Sequence, residues 1–226
     1  MKTGIYWQDP KYAVGWHLIQ PGYVLNLPLY RLDGVSFMSK DARGHLCTVS
    51  GALWTPRGRS FDGVDDYLEM PDSPSLKLTG DTTVEAWTNR AKIGDQEIVV
   101  KHYNYEFELI FGPGGELRWH HGDGAWEAID SVGADLNNKL NQWIHIVVTR
   151  ATAPKEIKFY INGTFLSKGN YTKTVASSDN VVYIGRREFA GTHSYGGLIG
   201  EVRIYNRTLS SLEIQHNYLA TKWRYR

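Results

Sequence analysis

The chain has 226 residues, 42% hydrophobic and 22% charged, proportions that exclude a disordered or charge-saturated protein, and at this length one large domain is the default. Twenty-five Lys and Arg against 24 Asp and Glu leave a net charge of +1, so no general electrostatic attraction for nucleic acid exists. No run approaches the roughly 18 apolar residues of a membrane span, the segment from Met1 to Asp9 has no apolar core of a secretory signal, and the single Cys47 excludes an internal disulfide or thiolate zinc cluster.

Residues 1–22 carry Tyr6, Trp7, Tyr12 and Trp16 together with Pro10 and Pro21, without helical or strand periodicity, and read as an aromatic arm. From residue 23 to 221 the pattern is that of one all-β domain. Runs of β-branched and aromatic residues at 24–29, 67–70, 82–88, 98–102, 107–111, 116–121, 143–150, 157–161, 181–185 and 201–205 are separated by Gly, Pro, Asn and Asp clusters. Ten or more antiparallel strands follow. Gly112-Pro113-Gly114-Gly115 predicts a hairpin in which Phe107, Leu109 and Phe111 share one face, and Leu117, Trp119 and His121 share one face of the partner. Asn162-Gly163 predicts a type I′ hairpin. A single helix is expected over 211–220, with Ser210 and Glu213 as a capping box and Leu212 and Ile214 as apolar anchors. Residues 222–226 form a basic aromatic tail.

Six segments then occur in a familiar order: Phe61-Asp62-Gly63-Val64-Asp65-Asp66-Tyr67-Leu68-Glu69-Met70-Pro71, Thr83-Val84-Glu85-Ala86-Trp87, Trp143-Ile144-His145-Ile146-Val147-Val148-Thr149, Phe159-Tyr160-Ile161-Asn162-Gly163, Tyr183-Ile184-Gly185-Arg186, and the stretch from Gly197 through Glu201 to Ser210. Together they resemble the laminin-G-like members of the concanavalin A-like lectin/glucanase superfamily. The resemblance implies a jelly-roll sandwich of two antiparallel sheets. It does not fix a function, because lectins, adhesion modules, glycosidases and virion proteins share this fold.

The resemblance also implies a structural Ca²⁺ held by acidic residues in the Phe-Asp-Gly segment and near the last strand, here Asp62 and Glu201. Gly200 stands where relatives often carry a further Asp. The bland alternative has Asp62 capping its own turn and Glu201 pairing with an Arg. His120 and His121 are adjacent, so a strand points them to opposite faces and they cannot both ligate one zinc ion.

For a sugar ligand the candidates cluster in the region 98–127: Lys101 and His102 as hydrogen-bond donors, Tyr105, Trp119 and Trp126 as flat platforms, and His121 beside Trp119. Binding and packing are both open for the two tryptophans. Trp87, Trp143 and Tyr160 read as filling the sandwich interior or its rim, and His145 as a satisfied core histidine. Glu106 and Glu108 are the one pair of Glu on a single strand face, without the carboxylate motif of the related glucanases. A non-catalytic, carbohydrate-binding module working within a larger assembly is therefore expected. The alternatives are a structural or decoration protein of a phage or archaeal virion, and a glycoside hydrolase. Assembly with other subunits would use the terminal aromatics Tyr6, Trp7, Tyr12, Trp16, Trp223 and Tyr225.

Overall fold

A computed structural model describes residues 21–188 and 193–226. Tyr6, Trp7, Tyr12 and Trp16 of the expected arm lie outside the described residues. In chain order the strands are β1 (Tyr23–Pro28), β2 (Ser36–Met38), β3 (Leu46–Ser50), β4 (Leu53–Thr55), β5 (Gly58–Asp62), β6 (Tyr67–Met70), β7 (Thr82–Arg90) and β8 (Gln96–His102). They continue with β9 (Phe107–Phe111), β10 (Leu117–Gly122), β11 (Trp126–Asp130), β12 (Trp143–Thr152), β13 (Lys155–Ile161), β14 (Thr164–Asn170), β15 (Val182–Ile184) and β16 (Gly196–Tyr205), and helix α1 (Ser211–Thr221) follows. All ten runs expected from the sequence fall on strands.

The strands form two antiparallel sheets. One has the order β14-β13-β12-β7-β16-β5-β4, with β1 also paired to β16; the other has the order β11-β10-β9-β8-β15-β6-β3-β2. Apolar side chains from the facing surfaces make one core, including Val84, Ala86, Ile146, Val148, Val202 and Ile204 from the first sheet and Phe107, Leu109, Phe111, Leu117 and Trp119 from the second. This is the jelly-roll sandwich implied by the sequence. The hairpin between β13 and β14 turns at Asn162 (φ 52°) and Gly163 (φ 76°), as a type I′ turn requires.

The outer face of the first sheet is buried as well, under α1. By the strand period of two, Val84 and Ala86 point inward, so Glu85 and Trp87 must point outward. Trp87 stacks at 4.4 Å on Tyr225 and donates through Nε1 to the Thr221 hydroxyl at 2.9 Å. Tyr160 joins Val147, Tyr205, Leu209 and Ile214 in a second small core. Of the two expected places, interior or rim, Trp87, Trp143 and Tyr160 do not take the interior: they pack outside the sandwich, beneath the C-terminal segment. The capping box of Ser210 and Glu213 is present. Ile214 is an anchor, but Leu212 is exposed.

The centre of this outer face is a carboxylate. Glu85 accepts hydrogen bonds from Arg203 Nη1 (2.7 Å), His145 Nε2 (2.8 Å), Asn217 Nδ2 (3.0 Å) and the Tyr205 hydroxyl (3.1 Å). A buried charge is tolerable only when paired and hydrogen-bonded in this way. Burial alone would raise its pKa, but Arg203, His145 and Asn217 outweigh burial and bring it to about 2. The folded value lies below the unfolded one, so this stabilisation is complete above about pH 4.5 and declines as pH falls toward 2. Thermal melts between pH 6 and pH 2 should therefore show the Tm falling through that window. Glu85→Ala, which strips Arg203 of its main counter-charge, should cost about 3–5 kcal/mol in urea unfolding at pH 7 and flatten this pH dependence.

Candidate functional site

The second sheet carries its site on the outer face of β8 to β11. Because Phe107, Leu109 and Phe111 enter the core, the alternate residues Glu108 and Ile110 face outward, and the same pleat turns out Arg118 and His120. Pairing aligns these groups in rows. Asp130 lies opposite Arg118, Arg118 opposite Ile110, and Ile110 opposite Glu97; in the next row Ala128 lies opposite His120, and His120 opposite Glu108. Trp126, at the start of edge strand β11, is 57% exposed, and its ring centre lies 5.4 Å from that of His120. Trp126, His120, Arg118, Asp130, Ile110 and Ala128, joined by Tyr103, Asp95, Arg187 and His193, line a pocket of about 450 Å³, within the usual range of small-ligand sites.

The floor is an ionic cluster. Arg187 Nε reaches Glu108 at 2.5 Å and Glu97 at 3.7 Å, and its guanidinium lies 4.6 Å over the Tyr103 ring. His120 Nδ1 also bonds Glu108. Burial and then the adjacent Glu108 charge push the Glu97 carboxyl well above the carboxylate range. For Glu108 burial acts the same way, but hydrogen bonds from His120, Glu97 and Arg187 prevail and hold it ionised. The two carboxyls thus share one proton, as two close acidic groups must.

A family model described as the concanavalin A-like lectin/glucanases superfamily matches residues 62–215. The chain belongs to that superfamily. Among solved structures it is similar to the binding domain of botulinum neurotoxin serotype D, with 14% identity and a TM-score of 0.71 over 89% of this chain and 52% of that one. It is similar to the botulinum neurotoxin DC binding domain in complex with SialylT, at 12% identity and a TM-score of 0.70 over 89% and 52% of the two chains. A Trypanosoma rangeli sialidase in complex with sialic acid matches at 20% identity and a TM-score of 0.68, over 92% of this chain and 34% of that chain. This chain thus spans about half of the neurotoxin domains and a third of the sialidase. No curated protein sequence matches it.

The structure separates the six residues expected to hold a sugar. Trp126 lines the pocket. Trp119 and His121 do share a strand face, but it is the core face: Trp119 is fully buried and donates through Nε1 to His121 Nδ1 at 2.9 Å. Burial, reinforced by the Arg150 charge, pushes the His121 imidazole down to about 4. Lys101 is buried in ion pairs with Asp72 (2.6 Å) and Glu106 (3.0 Å). These three residues are corrections, because each offers no surface to a ligand. His102 and Tyr105 are half-buried beside the site, with His102 stacked at 5.2 Å on Tyr103. Glu106 lies in the turn before β9 and not on the strand with Glu108, and each is neutralised by its own partner, Lys101 for one and Arg187 for the other.

The expected metal pair is also divided. Asp62 lies opposite Gly196 at the start of β16, and Glu201 stands five residues further along that strand, roughly 16 Å at about 3.3 Å per residue. Glu201 accepts from Arg224 Nη1 at 2.7 Å and the Tyr225 hydroxyl at 3.0 Å, and also pairs with Arg203. Asp62 caps its own turn, and the backbone N–H groups of Val64 and Asp65 help hold its carboxyl below the usual range. Asp62 gathers with Asp65 and Asp66, their ligand atoms within 4.8 Å of one another, and not with Glu201. The residue pair does not fit one shared Ca²⁺.

The tail is likewise part of the domain. Residues Lys222–Tyr225 form a 3-10 turn continuing from α1. Tyr225 is buried between Trp87 and Trp143, with ring centres at 4.4 and 4.6 Å. Gly200 makes this possible, since a Cβ there would lie 2.4 Å from the Tyr225 ring. Tyr225 is therefore no assembly contact. Trp223 remains exposed and donates to the Ala220 carbonyl at 3.0 Å. Two stability measurements check these placements: Trp119→Ala should cost about 3–5 kcal/mol in urea unfolding, as for a core tryptophan, and Tyr225→Ala should lower the Tm clearly although it lies one residue from the chain end.

Proposed function

We propose that this chain is a carbohydrate-binding module without hydrolytic activity, and that its sugar rests on Trp126. The observation carrying this reading is a large indole, more than half exposed, at a pocket where Ile110 and Ala128 alternate with charged and polar groups. An exposed aromatic face receives the C–H side of a pyranose ring, and fixed carboxylates, guanidinium groups and imidazoles orient its hydroxyls. Tyr103 adds a second ring, held in place by Arg187 above it and His102 stacked beside it. Carbohydrate complexes among the structural neighbours agree with this reading at the level of the fold.

A hydrolase would need different carboxylate geometry. Retaining enzymes hold their two carboxyl groups about 5–5.5 Å apart and inverting ones about 6.5–9.5 Å apart, on either side of the scissile bond. Glu97 and Glu108 are both fully buried beneath the pocket, and the charge of Glu108 helps to keep Glu97 protonated. Neither is exposed to a glycosidic oxygen in the pocket. Their arrangement supports a rigid floor, not an acid and a nucleophile.

Glycan-array binding followed by calorimetry on a retained glycan tests the reading. Trp126→Ala should weaken binding by at least about tenfold, while the unfolding free energy changes by no more than about 0.5 kcal/mol, as for an exposed position. Incubation with the same glycan should release no reducing sugar. Full affinity in the Trp126→Ala protein would remove the basis of the proposal.

A further inference from the structure

The charge pattern of the pocket, taken with the sugar-binding reading on which it rests, narrows the ligand. Among the described residues, the permanent cations lining the pocket are Arg118 and Arg187. Neither is free. Arg118 is held by Glu116 at 2.5 Å, Asp130 at 3.3 Å and Asp95 at 3.5 Å. Arg187 is held by Glu108 at 2.5 Å and sits 3.7 Å from Glu97. Two guanidinium charges thus face four carboxylates, Glu116, Asp130, Asp95 and Glu108. His193 lies 3.7 Å from Asp95, and burial lowers its pKa, so it adds no reliable positive charge near neutral pH. The side chains of Asp95 and Asp130 are 35% and 45% exposed, leaving carboxylate oxygens open to the pocket as acceptors.

An anionic sugar needs a donor cluster with charge to spare, because its carboxylate or sulfate sheds water on binding. Here it would compete with Asp95 and Asp130 for guanidinium groups whose charge is already paired and would meet the two carboxylates at close range. A hydroxyl group has no such difficulty, since it donates to a carboxylate and accepts from an Arg N–H in the same plane.

We infer that the pocket selects neutral pyranosides and discriminates against sugars bearing a carboxylate or sulfate, with Asp95 and Asp130 as the residues that set this preference.

The test is an array pairing each neutral oligosaccharide with its sialylated and sulfated forms, probed with the full chain and followed by calorimetry on one retained core. The expected result is retention of neutral cores and a loss of about tenfold or more when the terminal sugar facing Trp126 carries the anion. The double variant Asp95→Asn/Asp130→Asn leaves Arg118 with Glu116 alone, and should narrow that gap by about tenfold while its melting curve stays cooperative. Acidic forms bound as tightly as their neutral parents would overturn the inference and leave the sugar-binding reading standing. An unchanged gap in the folded double variant would overturn the role of the two aspartates. An array that retains no glycan at all would overturn the sugar-binding reading, and this inference with it.

Discussion

Successive side chains of a strand point to opposite faces, so the packing of Phe107, Leu109 and Phe111 between the sheets leaves Glu108 and Ile110 no place but the outer face. The same pleat in β10 sends Leu117, Trp119 and His121 inward and Arg118 and His120 outward. Hydrophobic burial on one side thereby fixes, to within the rise of a strand, where each charged group stands on the other. Glu108, Ile110, Arg118 and His120 stand on strands, while the connections around them supply Asp95, Tyr103, Arg187 and His193. The strand-borne part is as rigid as the core behind it, and a one-residue slip of β9 would put carboxylates into the core and aromatics into the pocket.

Each sheet then has to carry buried charge on its outer face, and the two solve the problem differently. Glu85 meets four donors and stays ionised. Because Asn217 belongs to α1, satisfying this carboxylate also ties the helix to the sheet. Glu97 is as deeply buried, yet neither of its oxygens meets a hydrogen-bond donor. It keeps a proton instead and leaves the ionised state to Glu108, which has His120 and Arg187. One cluster builds a closed surface and the other a pocket floor of low net charge, from the same kind of residue under different donor counts.

Much of the fold was legible in the sequence because its signals are local. The β-branched runs became strands, Asn162-Gly163 adopted the positive φ angles that its turn type demands, and Ser210 with Glu213 closed the helix start. Strands β2, β3, β4, β5, β11 and β14 lie outside the expected runs; β2 and β4 are sheet edges of three residues that bury little and carry no periodic pattern, and the burial of β11 and β14 is equally irregular. The site was harder. Alternation in β10 separates Trp119 and His121 from Arg118 and His120, but it does not say which set faces solvent; the charge on Arg118 was the available cue, and the aromatic Trp119 pointed the wrong way. Glu97 meets Glu108 only through a sheet pairing that shifts register twice between β8 and β9. Tyr225 could not be placed, since five residues show no period and the space at Gly200 becomes visible only when β16 is in position.

The covering of one sheet and the openness of the other have a consequence for valency. On the proposed reading the sugar sits in the pocket on the outer face of the second sheet, while α1 and Tyr225 cover the part of the first sheet around Glu85 and Trp87. A single pyranose site of this kind yields only a modest free energy, because few ligand atoms leave water and each polar group replaces a water partner of nearly equal strength. On that reading, tight attachment to a glycan-coated surface would call for several copies presenting the same face in one direction, where linkage turns each further contact into an intramolecular event. The closed side is the one that can be turned toward neighbouring copies or a carrier without blocking the site.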